Sequence, residues 1–323
     1  MAKPRCLLTS YFLKPGDEVD RRLQEAGIET EFNLWHGGRD EDEVIRIAQG
    51  FDAVIPSIEP FTERVFKALP QLKIISRTGV GYDAIDVKAA TAHGVAVCNS
   101  AGINRHSVSE YAIALMLQCA RHVAENMASV RAKGWDRYEG FDLAGKTVGI
   151  IGLGTIGKEV AQRLRAFEMK ILAYDIYQDQ QFAEEHDVTF VSLEELLKQS
   201  DIVTLHAFLD AKSRKMINAE RLALMKPTAY LINTARGGLV DHEALYEALK
   251  AKKIAGAALD AFEQEPLGES PLRELDNCWL SPHAGGSSAD ARARSKYMAA
   301  ENVVRFFRGE RPLTIVNPEV LKK

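Results

Sequence analysis

The stretch Val148-Gly149-Ile150-Ile151-Gly152-Leu153-Gly154-Thr155-Ile156-Gly157 decides how this chain is read. An apolar, β-branched run leads into G-x-G-x-x-G, and an amphipathic helical pattern follows. The three glycines of that motif do different things. Gly152 permits a tight turn, Gly154 lets backbone approach a pyrophosphate, and Gly157 allows a helix to pack closely on a strand. Free amides and the helix dipole would then hold phosphates at the helix N-terminus. Lys170–Tyr174 reads as the next strand. Asp175 ends it, eighteen residues after Gly157, where a carboxylate would take ribose hydroxyls. Ile176, Tyr177 and Gln178 follow, with no arginine to pair a 2′-phosphate, which favours NAD over NADP.

On either side of this stretch, short β-branched runs alternate with amphipathic helical patterns, which predicts parallel sheets covered by helices. Before it, strands are expected at Arg5–Ser10, Ala53–Ile55, Leu72–Ser76 and Val95–Asn99. Helices are expected at Asp17–Ala26, Glu41–Gln49, Thr62–Leu69 and Val87–His93. A long helix follows, opened by Ser107-Val108-Ser109-Glu110 in the spacing of a capping box. Its Tyr111–Ala120 stretch is apolar or small almost all round, so burial on every side is expected, as domain core and as a dimer contact. After the Gly140–Gly145 turn a second series places strands at Thr147–Ile151, Lys170–Tyr174, Asp201–His206, Tyr230–Thr234 and Ile254–Leu259. A last helix is expected near Ala289–Arg308, with the Pro312–Pro318 tail returning to the first series.

At about 150 residues per domain, 323 residues suggest two domains. Hydrophobic residues make up 46% of the chain, enough for two cores, and a net charge of −4 gives no global attraction to nucleic acid or anionic membrane. The N-terminus runs straight into a strand rather than a signal-peptide core, and no apolar run reaches the ~18–20 residues that cross a bilayer. Cys6, Cys98, Cys119 and Cys278 are widely spaced, which argues for reduced, packed thiols rather than a disulfide framework or a zinc site. The expected compartment is the cytoplasm, with no metal.

Hydride transfer to a keto acid needs a cation for the carboxylate and carbonyl, best a bidentate guanidinium, and an acid of near-neutral pKa for the developing alkoxide. A carboxylate can keep that acid oriented and protonated. Three candidates follow strands, where open α/β sheets bind ligands. They are Arg236 before Gly237-Gly238, Glu265 in Phe262-Glu263-Gln264-Glu265-Pro266, and His283 at a strand-to-loop exit in Leu280–Gly286. Each alone is ordinary in sequence, since loop histidines and arginines are more often solvated. His36, His93, His122, His186 and His242 read as solvated or locally bonded, while His106 and His206 fall near the expected cofactor loops.

Taken together, Arg77-Thr-Gly-Val-Gly-Tyr-Asp-Ala-Ile-Asp86, the glycine stretch, Asn233-Thr-Ala-Arg-Gly-Gly238, Ala257–Asp260 through Glu265-Pro266, and Ser281–Gly286 resemble the D-isomer-specific 2-hydroxyacid dehydrogenase family across nearly the whole chain. The branch they look most like is that of phosphoglycerate dehydrogenase. The resemblance implies two doubly wound α/β domains, a Rossmann NAD-binding domain at 102–289 inserted into a flavodoxin-like substrate domain at 1–101 and 290–323, with ligand in the crevice between them. It implies catalysis by Arg236, Glu265 and His283. His283 would be the acid in reduction and the base in oxidation, its pKa raised by Glu265. Val80, Gly81, Arg236 and His283 would bind substrate. NAD would meet Gly152, Gly154, Thr155, Ile156, Gly157, Asp175, His206, Thr234, Ala235, Arg236, Asp260, His283, Gly285 and Gly286. It further implies a homodimer built on the helix after residue 102. Some phosphoglycerate-type members carry a C-terminal regulatory domain; with Lys323 as the last residue, that regulation is expected to be absent.

The sequence departs from the family pattern in two places. Pro56-Ser57-Ile58-Glu59-Pro60-Phe61 stands where phosphoglycerate-type members place arginines, and Glu59 beside a phosphate would repel it. Ala207-Phe208-Leu209 replaces a usual Pro-Leu pair after His206. Hydroxypyruvate or glyoxylate reduction, or sugar-acid oxidation, is therefore the rival enzymatic reading. Glu265 in place of Gln argues against formate oxidation, and Val80 in place of Lys against phosphite oxidation. A corepressor-like, NAD-binding scaffold is the reading from outside enzymology.

Overall fold

A computed structural model describes residues 3–34 and 40–322. Two compact units emerge, one of residues 1–104 with 289–323, the other of residues 105–288. In the first, β1 (Arg5–Leu8), α1 (Glu18–Glu25), β2 (Glu29–Phe32), α2 (Glu41–Ala48) and β3 (Ala53–Ile55) come first. Then follow α3 (Glu63–Ala68), β4 (Ile74–Ser76), α4 (Val87–Ala92) and β5 (Ala96–Cys98). Among the described residues the sheet runs β2-β1-β3-β4-β5, every pairing parallel, which is the flavodoxin-like order.

Alternation along each strand feeds two cores. Leu7, Val54, Ile75 and Val97 face one side with Val65, Phe66 and Ala90. Cys6, Leu8, Ile55, Ile74 and Cys98 face the other with Val19 and Leu23. A period of two buried on both faces is what makes these strands read as continuous apolar runs.

The second unit begins with α5 (Arg105–Arg121) and α6 (Val123–Arg131), then β6 (Thr147–Ile151), α7 (Thr155–Arg165), β7 (Lys170–Tyr174), α8 (Gln180–Glu185) and β8 (Val188–Phe190). It continues with α9 (Leu193–Gln199), β9 (Ile202–Leu205), α10 (Ala219–Leu222), β10 (Tyr230–Asn233), α11 (His242–Lys250), β11 (Gly256–Leu259) and β12 (Cys278–Leu280). Its parallel sheet runs β12-β11-β10-β9-β6-β7-β8, the Rossmann order extended by one strand. The order reverses between β6 and β9, so the mouth of β6 is the topological switch point where such sheets bind ligands.

From the second unit the chain passes into α12 (Ala289–Phe307), whose Ala299, Ala300, Val303 and Val304 complete the core on the Cys6 face. Beyond it, the Val316 amide donates to Val97 O at 2.8 Å, and Asn317 Oδ1 accepts from Val97 N at 2.8 Å.

One expectation for α5 needs correcting. The helix already begins at Arg105, so Ser107 and Glu110 lie inside it and form no capping box. The Ser107 hydroxyl pairs instead with that of Ser288 at 2.7 Å. Within the single chain Ala112, Ile113, Met116, Cys119 and Ala120 pack on β6 and α7 residues, while Ala114 is exposed. Small residues satisfy either side of a helix, which is why composition does not show the facing.

Candidate active site

The β6–α7 junction has the geometry its glycines require. Gly152 has φ +95°, and a Cβ there would lie 2.6 Å from Ala207 N. At Gly157 a Cβ would meet Gly152 O at 2.1 Å, so any larger residue would push α7 off β6. Gly154, the N-cap of α7, is different: an added Cβ meets nothing within 4 Å. That open space lies before the free amides of α7. It belongs to a cleft of about 850 Å³ whose lining includes Thr155, Lys158, Asp175 and Tyr177. Asp175 closes the loop, its carboxylate accepting from Leu153 N at 2.7 Å and Tyr177 N at 3.0 Å.

Along the same sheet edge, Thr234–Arg236 follow β10, Asp260 follows β11, and His283–Gly286 follow β12. Side chains, not glycines, do most of the holding here. Buried Asn233 donates to Arg236 O at 2.9 Å and accepts from Ala235 N at 3.0 Å, which fixes the turn presenting the guanidinium. Buried Asp260 accepts from Ser281 Oγ at 2.6 Å, Ala284 N at 2.8 Å and Gly285 N at 2.8 Å, gathering the loop that carries His283. At Gly237 a Cβ would sit 2.0 Å from Phe262 C, so the arginine turn lies directly on the segment leading to Glu265.

His283 Nδ1 and Glu265 Oε2 are 2.7 Å apart, and Glu265 Oε1 accepts from Phe262 N at 2.9 Å. With Nδ1 donating to the carboxylate, Nε2 is the atom left to exchange a proton. The Glu265 hydrogen bond raises the His283 pKa above the ordinary imidazole value, against burial and the Arg236 charge. For Glu265, burial works upward, but the bonds from His283 and Phe262 and the charges of His283 and Arg236 leave its pKa lowered. Each partner therefore favours the other's charged form. Arg236 acts on both, so the three expected catalytic side chains are brought into one electrostatic neighbourhood.

His206, after β9, shares a 2.9 Å contact between Nε2 and Thr204 Oγ1. Burial drives its pKa down to about 4, so the ring is neutral at pH 7. Its Nδ1 and the hydroxyl of Thr234 are buried with no partner among the described residues. Two buried polar atoms awaiting a partner, a left-handed glycine turn and an open Gly154 fit a dinucleotide along this edge. Val80 and Gly81 follow β4 in the first unit, where Asn99 Nδ2 donates to Val80 O at 2.7 Å.

Some sequence readings change. Glu59, expected to repel a phosphate beside it, is 3% exposed and accepts from Ser57 N at 2.7 Å, while Arg77 Nε donates to Ser57 O at 2.7 Å. His242 is half-buried and packs edge-on against Phe262, its Nε2 buried with no hydrogen-bond partner among the described residues. His36 lies outside the described residues. Sequence reasoning misses the bracing by Asn233 and takes Asp260 only as a cofactor contact, because a strand-end Asn or Asp gives no sign of which amides it will meet. Among the described residues no group of three or more His, Cys, Asp or Glu could hold a metal ion, and no helix is long and apolar enough to cross a membrane.

Fold and site together define an oxidoreductase that uses a nicotinamide cofactor and acts on CH–OH. Residues 113–285 match the model described as "D-isomer specific 2-hydroxyacid dehydrogenase, NAD binding domain". The chain is 41% identical over 325 residues to a glyoxylate reductase of Korarchaeum cryptofilum, covering 96% of this chain and 98% of that one. It is 42% identical over 327 residues to a D-3-phosphoglycerate dehydrogenase of Synechocystis sp., covering 99% of this chain but only 58% of that relative. An NADPH-dependent glyoxylate/hydroxypyruvate reductase from Sinorhizobium meliloti, solved with NADP and malonate, superposes with a TM-score of 0.86 at 30% identity, covering 98% of this chain and 97% of that one. The chain belongs to the D-isomer specific 2-hydroxyacid dehydrogenase family, whose substrates are small 2-hydroxy and 2-keto acids.

Proposed function

We propose that the protein reduces a small, unphosphorylated 2-keto acid of the glyoxylate or hydroxypyruvate kind with NADH, through Arg236, Glu265 and His283. The observation that carries the catalytic part is the 2.7 Å His283–Glu265 pair beside Arg236. A bound nicotinamide would supply the hydride. His283 would deliver the proton from Nε2 to the forming alkoxide, Glu265 would keep the ring protonated and oriented, and Arg236 would grip carboxylate and carbonyl. Val80 and Gly81 are assigned to the substrate carboxylate, and Thr155, Ile156, Thr234, Ala235 and Gly285-Gly286 to the cofactor. Asp260 serves this set at least by shaping the His283 loop.

The substrate preference rests on Pro56–Phe61, a segment without Lys or Arg whose one acid, Glu59, is turned inward and buried. Nothing cationic in that segment would bind a phosphate ester. NAD is favoured by Asp175, since a ribose-binding carboxylate would repel a 2′-phosphate. A panel of glyoxylate, hydroxypyruvate, its phosphate ester and sugar-derived keto acids with NADH, followed by absorbance, tests the assignment. Fastest turnover of the phosphate ester would replace it with the phosphoglycerate-type reading.

A cytoplasmic homodimer belongs to the same proposal. Cys6, Cys98 and Cys119 are buried free thiols, in keeping with a reducing compartment. Beyond α5, Val123, Met127, Val130, Trp135 and Tyr138 are exposed apolar side chains, as a contact between copies would require. Light scattering should give twice the chain mass; the single mass would remove the dimer.

A further inference from the structure

The cleft in front of α7 holds more charge than a ribose needs. Its lining includes Arg105, Lys158, Glu159, Asp175 and Asp179, three carboxylates to two cations. Both cations are engaged within the protein. Arg105 Nε donates to Glu159 Oε1 at 2.9 Å, and Lys158 Nζ pairs with Asp179 Oδ2. Asp179 also caps α8 by accepting from Phe182 N at 3.1 Å, which fixes where its carboxylate stands. The Lys158 ammonium lies 4.9 Å from the Phe182 ring centroid. The ring therefore steers the lysine independently of Asp179.

We propose that Asp179 is a second determinant of cofactor preference, acting with Asp175 by holding Lys158 in an ion pair and so denying the cleft a cation for an adenosine 2′-phosphate. The inference rests on the NAD reading above. Asp175 faces the 2′ position as a repelling acid, whereas Asp179 works by occupation. The Lys158–Asp179 pair is partly exposed, with side chains 31% and 45% accessible, so its own contribution to stability is small. Its effect is on which anion Lys158 is available to meet.

Direct titration of the purified protein with NADH and NADPH, by calorimetry, separates the possibilities. Asp179→Asn keeps an N-cap, because asparagine caps as well as aspartate. It should tighten NADPH binding about tenfold, the worth of one charge-assisted bond to phosphate, and change NADH by less than about twofold. Adding Lys158→Met should abolish the gain. Asp187→Asn, which makes the same charge change outside the cleft lining, should leave both affinities unchanged. An unaltered NADPH affinity in Asp179→Asn, a gain that survives loss of Lys158, or an equal gain from Asp187→Asn would each overturn the proposal. The wild-type comparison reads the parent claim separately: NADPH binding as tightly as NADH would defeat the NAD reading, while the variant-to-wild-type ratio for NADPH would still decide the role of Asp179.

Discussion

The two halves of one sheet edge are built by opposite means. Around β6 and β7 the ligand surface is made by leaving side chains out: Gly152 turns with φ +95°, Gly157 admits Gly152 O, and Gly154 leaves open space. Around β10, β11 and β12 it is made by side chains that other buried side chains hold, Asn233 for the arginine turn and Asp260 for the histidine loop. The first half is a matter of shape, and the second a matter of proton and charge placement. Substitutions should therefore fail differently, by sterics on one side and by chemistry in an intact fold on the other.

The largest effect is expected from His283→Ala, with kcat falling by about 10²–10⁴-fold, the usual worth of a positioned general acid. Thermal melting and NADH affinity should barely change. Near-normal turnover would dissolve the contrast by removing the acid. On the glycine side, Gly157→Ala should destabilise the fold by about 1–3 kcal/mol through overpacking against Gly152 O, whether or not nucleotide is present. Its neighbour Gly154→Ala should melt like wild type, having nothing to clash with, yet lose NADH affinity. Equal melting losses in the two variants would show that the open space is not the ligand's.

Asp175→Ala should weaken NADH about tenfold and NADPH much less. Equal weakening would count against a ribose contact. The smallest effect is a displacement in pH. Because Glu265 raises the His283 pKa, the protonated form needed for keto-acid reduction persists above the ordinary imidazole range, and the rate falls as pH rises through the raised value. Oxidation, which needs the neutral ring, should rise over that same interval. Glu265→Gln removes the stabilising charge, so both limbs should move toward lower pH; unmoved limbs would detach Glu265 from the proton step.

How much of this is legible in the sequence depends on burial. Lys170–Tyr174 and Thr147–Ile151 read as strands residue for residue, because central parallel strands are apolar on both faces. Edge strands β2, with alternating half-exposed residues in Glu-Thr-Glu-Phe, and β8 carry no such run and do not read as strands. β12 shows only as the exit before His283. The catalytic side chains are visible as residue types after strands, but Arg236, Glu265 and His283 stand out only through ordered motifs shared with a family. Glu59 shows the limit from the other direction. Sequence gives its charge and its place in the Pro56–Phe61 segment, and only tertiary placement reveals it turned inward.

The position of α12 bears on how the molecule is made. The second unit is one uninterrupted stretch and can close its core once that stretch has emerged from the ribosome. The sheet begun by the first residues cannot, because its Cys6 face waits for Ala299, Val303 and Val304, and its β5 edge for Val316 and Asn317. Of the two units, the one begun first is thus the one finished last. During translation its apolar strands stand half covered, so that is when chaperones would have most to protect.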